Sequence, residues 1–197
     1  MKKYLYTALF FIFLLNSCYV DDNMDRTIFI PDANDPSLPA YSEWGYNSFG
    51  AVYDRSYFLA SNNIVPCKIT YQKGILNFYL IGNVYRESAE MMLTFSFPSQ
   101  PIYNYADLVK LNNTTIDLLD ASCTVKIKCH EIEDIVTPVS GNLTFKRVQL
   151  LKIDGEENRV ILSGLFDLKF LKNDMPESIS NGRFDVGINN DFYCFPE

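Results

Sequence analysis

Histidine is almost missing from this chain: His130 is the only one in 197 residues, and tryptophan also occurs once. A zinc site wants three or four clustered ligands. Glu131 and Glu133 lie too close to His130 in sequence to complete one, because neighbouring strand residues face opposite ways. A Ser-His-Asp triad would have to use this same histidine, and the chain holds no Gly-x-Ser-x-Gly elbow to present a serine. His130 is therefore expected to be solvated. The cysteines never fall in C-x-x-C spacing, which argues against a zinc ribbon and against thioredoxin chemistry. No cofactor motif is present, so no cofactor and no metal are expected. A run of about 20 apolar residues, the length of a membrane-spanning helix, is also lacking; Leu9–Leu15 is too short. Basic residues are few, 17 Lys and Arg against 24 Asp and Glu, for a net charge of −7. Nucleic acid wants a basic stripe, and anionic lipid attracts basic segments, so neither is an expected partner. Long helical stretches between strands are absent, which excludes a parallel α/β sheet.

What the chain does have is aromatic residues, 15% of the total, and alternation. Cys67, Ile69 and Tyr71 alternate with Lys68 and Thr70, and Gln72-Lys73-Gly74 supplies a turn. Leu76, Phe78 and Leu80 point one way in the next strand. After a polar turn over 86–90, Met91, Leu93, Phe95 and Phe97 do the same. Cys123, Val125, Ile127 and Cys129 alternate with Thr124, Lys126, Lys128 and His130. Val160, Leu162, Gly164, Phe166, Leu168 and Phe170 share one face. Strict alternation marks strands half buried in a sheet. Between Pro101 and Asn112 one short helix is expected over Tyr105–Leu111, with Asn104 able to accept from the free amides of its first turn. Thr137–Asn142 reads as a loop, with Pro138 and Gly141. The apolar phase then shifts between Phe145 and Val148, which one extra residue near Arg147, a β-bulge, would produce. Asp154–Asn158 reads as a hairpin loop. Gly182 suits a positive-φ turn position, with Phe184, Val186 and Ile188 buried opposite Asp185. Eight or nine closely spaced strands predict an all-β fold, an antiparallel β-sandwich or a small barrel-like meander, with at most one short helix.

The first residues read differently. Lys2 and Lys3, the apolar run Leu9–Leu15 and then Ser17 before Cys18 follow the order of a secretory signal. Leu15-Asn16-Ser17-Cys18 resembles the lipobox of bacterial lipoproteins, which implies a signal peptide over 1–17, cleavage after Ser17 and lipidation of Cys18. Two or three acyl chains on that residue would anchor the protein to a membrane stably. Losing Lys2 and Lys3 with the leader takes the net charge from −7 to −9. Asp21, Asp22 and Asp25 just behind Cys18 resemble the surface-export signal of Bacteroidetes lipoproteins. The resemblance implies an outer-membrane lipoprotein exposed on the cell surface, the periplasmic face being the alternative. Residues 18–45 are expected to be a lipid-anchored tether, since Pro31, Pro36 and Pro39 lie among Asp32, Asn34 and Asp35 without periodicity. A single β domain over 46–197 then follows.

Two further motifs resemble a set of Bacteroidetes lipoproteins of uncharacterised function. Leu38-Pro39-Ala40 leading to Gly45-Tyr46-Asn47-Ser48-Phe49-Gly50 is similar to their opening Gly-x-Asn-Thr-Phe-Gly segment. There a hairpin usually turns on Asn-Gly; here Asp54-Arg55 stands in that place, although arginine is disfavoured at positive φ. Val160–Phe170 and Ile179–Val186 are similar to their closing Ile-Ser-Gly-x-Phe-x-Phe strand and Thr-Asp-Gly-x-Phe-Asp segment.

Candidate chemistry is sparse. Cys67, Cys123, Cys129 and Cys194 allow three pairings. Cys123 and Cys129, about 20 Å apart on one face of one strand, cannot bridge each other. Inward positions suit thiols behaving as small hydrophobes. Glycoside hydrolysis needs two carboxylates about 5 to 10 Å apart. Glu131, Glu133, Asp134, Asp167 and Asp185 are available, but outward carboxylates on strands are ordinarily a wet face. Tyr41, Trp44, Tyr46, Tyr53 and Tyr57 crowd one stretch. Packing is the favoured reading for them, while exposed aromatics can stack on sugars or anchor a partner. The expected function is a surface-anchored, non-catalytic binding or structural β domain whose glycan or protein partner is unknown. The alternatives are a glycan-acting hydrolase and a lipocalin-like carrier of a small apolar ligand.

Overall fold

The computed structural model describes residues 26–61, 66–85, 89–153 and 155–189, with backbone alone at 153, 156–158 and 193–194. The expected signal peptide over 1–17, Cys18 and the acidic residues Asp21, Asp22 and Asp25 lie outside the described residues.

The strands are β1 (Ser48–Tyr53), β2 (Ser56–Ala60), β3 (Cys67–Gln72), β4 (Ile75–Val84), β5 (Ala89–Pro98), β6 (Thr114–Asp117), β7 (Thr124–Cys129), β8 (Ile132–Ile153), β9 (Glu156–Lys172), β10 (Met175–Ile188) and β11 (Tyr193–Cys194). Strands β1 to β10 form a closed, antiparallel eight-position barrel, and β11 pairs parallel with β3. β2 and β3 follow one another along the same edge of β4. β6 and β7 do so along β8. The ring therefore runs β1, β2/β3, β4, β5, β6/β7, β8, β9, β10, and β10 pairs back to β1 through Phe49↔Phe184 and Gly50↔Arg183. Both central residues of the two-residue turns take positive φ: Lys73 and Gly74 at 51° and 84°, Asn173 and Asp174 at 51° and 63°; glycine, asparagine and aspartate tolerate it best. At the first hairpin Asp54 takes the positive φ, 50°, so Arg55 is spared it.

An eight-stranded barrel has a lumen just wide enough for side chains to fill, and here phenylalanines fill it. Phe78 of β4 meets Phe184 of β10 at a ring-centroid distance of 5.0 Å and Phe145 of β8 at 5.5 Å. Phe166 of β9 meets Phe95 of β5 at 5.7 Å. Rings this large need gaps on the strands beneath them. Gly164 is paired with Phe184 and Gly182 with Phe166. A Cβ on Gly164 would come within 2.5 Å of the Phe184 ring, and one on Gly182 within 2.6 Å of the Phe166 ring. The expected role of Gly182 as a positive-φ turn residue is thus corrected. The positive φ, 54°, belongs to Asn181, in a bulge that shifts the β9–β10 register between Ile179 and Gly182.

The expected helix is present over Tyr105–Leu111 as a 3-10 helix, and the Asn104 side chain accepts from the Asp107 amide at 3.0 Å. It covers one end of the barrel through buried Leu108 and Leu111 and packs on β8 and β9. The expected bulge near Arg147 is present as a register shift between Phe145 and Arg147. The Val148 amide beside it donates to Asn112 Oδ1 at 2.8 Å, so the helix end serves the bulge.

Two loop expectations are corrected. Thr137–Asn142 is strand, part of the 22-residue β8. Pro138 is accommodated because it sits at a register shift between Pro138 and Ser140, where no ladder donor is required. The loop expected over Asp154–Asn158 is shorter, since Ile153 pairs with Glu156 and Gly155 takes φ 86°. Ala89 and Glu90, read as turn, pair with Val84 and Asn83 in β5.

The segment expected to be a tether is corrected over its described part. Residues 28–47 dress the outside of the barrel as a strap. Ile28 N donates to Tyr46 O at 2.8 Å, and Ala40 N to Ile30 O at 2.7 Å. Leu38 is wholly buried. Pro39 rests on Gly50, where a Cβ would approach Pro39 Cδ to 2.3 Å. Prolines and acidic residues look like linker by composition, but a rigid, extended segment loses little entropy on docking.

Candidate functional site

One carboxylate gathers the centre of the strap. Asp185 lies on the outer face of β10, yet only 2% of it is exposed. It accepts from the backbone amides of Gly45 (2.8 Å), Trp44 (3.2 Å) and Tyr46 (3.2 Å), from Ser163 Oγ at 2.9 Å and from Ser42 Oγ. Five donors satisfy a charge that would otherwise be costly to bury. A few residues away Asn47 Oδ1 accepts from Gly187 N at 2.8 Å. Arg183 donates to Asp32 at 2.7 Å. The Asp32 carboxyl is held below its usual range first by the Asn34 and Asp35 amides and then by Arg183. The two sequence motifs near the chain's ends are therefore one structural unit. Asp185 was expected on a wet face; it is dry because the strap covers it, which alternation within β10 alone could not reveal.

On the strap, Trp44 points outward. Its exposure is 76%, although tryptophan is one of the residues most worth burying. The packing expectation for this aromatic run is corrected at Trp44. Around it lie Tyr41, Ser42, Glu43, Arg147 and Gln149, enclosing a shelf of about 320 Å³. The polar groups of the shelf orient one another. Tyr41 OH donates to Glu43 Oε1 at 2.9 Å, Arg147 to Glu43 Oε2 at 3.2 Å, Arg147 Nε to Gln149 Oε1 at 3.0 Å, and Gln149 Nε2 to Glu43 O at 2.7 Å. Partial burial, then the Glu43 bond, push the Tyr41 phenol well above its ordinary range. The bulge explains Arg147: Lys146 and Arg147 are both exposed between buried Phe145 and Val148, so the extra residue turns the guanidinium onto the strap.

The end of the barrel away from the helix is polar inside. Tyr53 of β1 donates to Glu177 of β10, both on inward-facing positions. Burial and then this bond raise the Tyr53 phenol far above its usual range. Asp134, paired with inward Ile127, meets Lys172 at 3.3 Å. A rim depression of about 620 Å³ opens beside Tyr53, Val84 and Glu177.

The other residues singled out in the sequence do not converge. Asp167 is exposed on β9. Glu133 is paired with Lys126 at 2.7 Å. His130 occupies the turn between β7 and β8, exposed, at φ 53°, and shares a shallow hollow with Glu131, Glu90 and Lys128. Cys67 and Cys123 are free thiols among the described residues. Burial pushes the Cys67 thiol up, and partial burial followed by Asp120 does so for Cys123. The side chain of Cys194 lies outside the described residues. Sequence reasoning missed Glu43, Gln149 and Glu177. The aromatic run through Tyr41 and Trp44 and the bulge at Arg147 were the hints of the shelf in the sequence. No family model, no curated protein and no solved structure matches the chain.

Proposed function

We propose that the chain is a surface-anchored bacterial lipoprotein, held in the outer membrane by acyl chains on Cys18, whose barrel is a non-catalytic binding or structural domain. The signal-peptide pattern and the lipobox support the anchor. The periplasmic face of that membrane is the alternative location. The observation that carries the role of the barrel is the phenylalanine packing at the centre of its lumen among the described residues. Phe78, at 5.0 Å from Phe184 and 5.5 Å from Phe145, occupies the centre where a carrier would keep its ligand. A carrier needs an apolar hollow; recognition on the outer surface does not. The hydrolase alternative is weaker, because the oxygens of Asp185 are taken by five donors and Asp167 is exposed on the outer face of β9.

Two measurements on one protein test this reading. A radiolabelled fatty acid fed to cells should label the wild type and leave Cys18→Ala unlabelled; equal labelling would overturn the anchor. A fluorescent fatty acid should show no saturable uptake by the purified chain. Stoichiometric, displaceable uptake would replace the binding or structural role with that of a carrier.

A further inference from the structure

We propose that the shelf formed by Tyr41, Glu43, Trp44, Arg147 and Gln149 binds a neutral pyranose unit of a glycan. The inference deepens the surface-binding reading above and rests on it.

The indole is the first reason. At 76% exposure Trp44 forgoes burial on a strap whose Leu38 is wholly buried a few residues earlier. The backbone beneath it is fixed, since the amides of Trp44, Gly45 and Tyr46 all end on Asp185. The outward indole is thus held by a rigid base. A flat, electron-rich ring face attracts the weakly positive C–H groups on the apolar face of a pyranose.

The polar wall is the second reason. Glu43, Arg147 and Gln149 are planar groups, and their mutual hydrogen bonds set their orientation before any ligand arrives. Arg147 has five N–H donors, of which these bonds engage two. Adjacent sugar hydroxyls present paired donors and acceptors that such groups can meet. Preorganisation of this kind lowers the entropy cost of binding.

Charge and size give the class. Arg147 and Glu43 neutralise one another at 3.2 Å, which favours a neutral sugar over an anionic one. A volume of about 320 Å³ falls at the small end of ligand sites, ~300–1,000 Å³, and suits about one or two sugar rings. A protein-binding hot spot would instead be ringed by contacts that exclude water; this tryptophan is flanked by an ion pair and an amide.

Trp44 is the only tryptophan, so its emission reports the shelf alone. The full chain would be purified in an amine-oxide detergent, which carries no sugar. It would be titrated with malto-, cello-, xylo-, manno- and galacto-hexaoses. At least one is expected to shift the emission to the blue, saturably. Arg147→Ala and Gln149→Ala keep the reporter and should each weaken that binding about tenfold, the loss of one charge-assisted or neutral hydrogen bond. Trp44→Phe should abolish the heat of binding seen by calorimetry with the same sugar. An unchanged urea midpoint in the three variants establishes that the fold is intact. The proposal is overturned if no sugar moves the emission, if both wall variants bind as tightly as wild type, or if only solubilised envelope protein moves it. The last outcome assigns the shelf to a protein partner. Neither acylation of Cys18 nor fatty-acid uptake depends on these residues, so failure here is distinguishable from failure of the surface-binding reading.

Discussion

Asp185 shows how much one side chain can organise. Its carboxylate takes five donors from two parts of the chain, four from the strap and one from β9 through Ser163. Asp185→Asn keeps the shape but turns an NH2 toward amides that need an acceptor. Hydrogen bonds to a charged group are worth about 1.5–3 kcal/mol each, and loss of the charge affects several together. The urea midpoint of Asp185→Asn should fall by the equivalent of about 3 kcal/mol, while Ser163→Ala, removing one donor, should cost about 1 kcal/mol. Phe166 is the second case. It is 2% exposed, packs on Phe95 and covers Gly182. Phe166→Ala is expected to destabilise by about 3 to 5 kcal/mol, the cost of a buried phenylalanine. A midpoint equal to wild type would show that the lumen is not the core.

At the scale of elements, the 3-10 helix and the bulge on β8 are interdependent. A bulge leaves a backbone group outside the ladder, and Asn112 at the helix end accepts from the Val148 amide. Removing that acceptor leaves a donor unpaired at a cost of about 1–3 kcal/mol. In Asn112→Ala, hydrogen exchange at Val148 should accelerate more than at Leu162, which lies on the neighbouring strand and keeps its ladder bonds. Equal acceleration at both amides would mean that the helix stabilises the barrel only as a cover. The strap is the other dependent element. It has little regular structure of its own, and its order comes from contacts with β1, β8, β9 and β10.

The molecule as a whole closes by joining its ends, β1 near the start to β10 near the finish. Pairings so distant in sequence must pay loop closure early, so folding in the millisecond-to-second range is expected. The alkaline limb of stability reports the polar end of the barrel. The Tyr53 phenol is raised above its unfolded value of about 10 by burial and Glu177. Its neutral form is therefore favoured by folding, and this contribution is fully present below about pH 10 and lost as pH rises above it. Tyr41 is shifted the same way by burial and Glu43. Tyr53→Phe should flatten, without abolishing, the fall in thermal midpoint above about pH 10; an unchanged slope would show that Tyr53 does not couple to folding.

Local regularities made part of this legible in the sequence. Period-two apolar patterns placed β4, β5 and β7, Asn104 marked the helix start, and the phase shift after Phe145 marked the bulge, because each depends on residues within a few positions of one another. The all-β class followed from the same patterns, and the choice between sandwich and barrel did not. Closure is decided by the pairing of β1 with β10, between residues more than a hundred positions apart. The strap was hidden for a related reason. Leu38 and Asp185 are buried by each other's surroundings, not by their own neighbours, and proline-rich acidic sequence carries no periodicity to read. The shelf is tertiary in the same sense. Trp44 and Glu43 come from the strap and Arg147 and Gln149 from β8, and only the docking held by Asp185 brings them together.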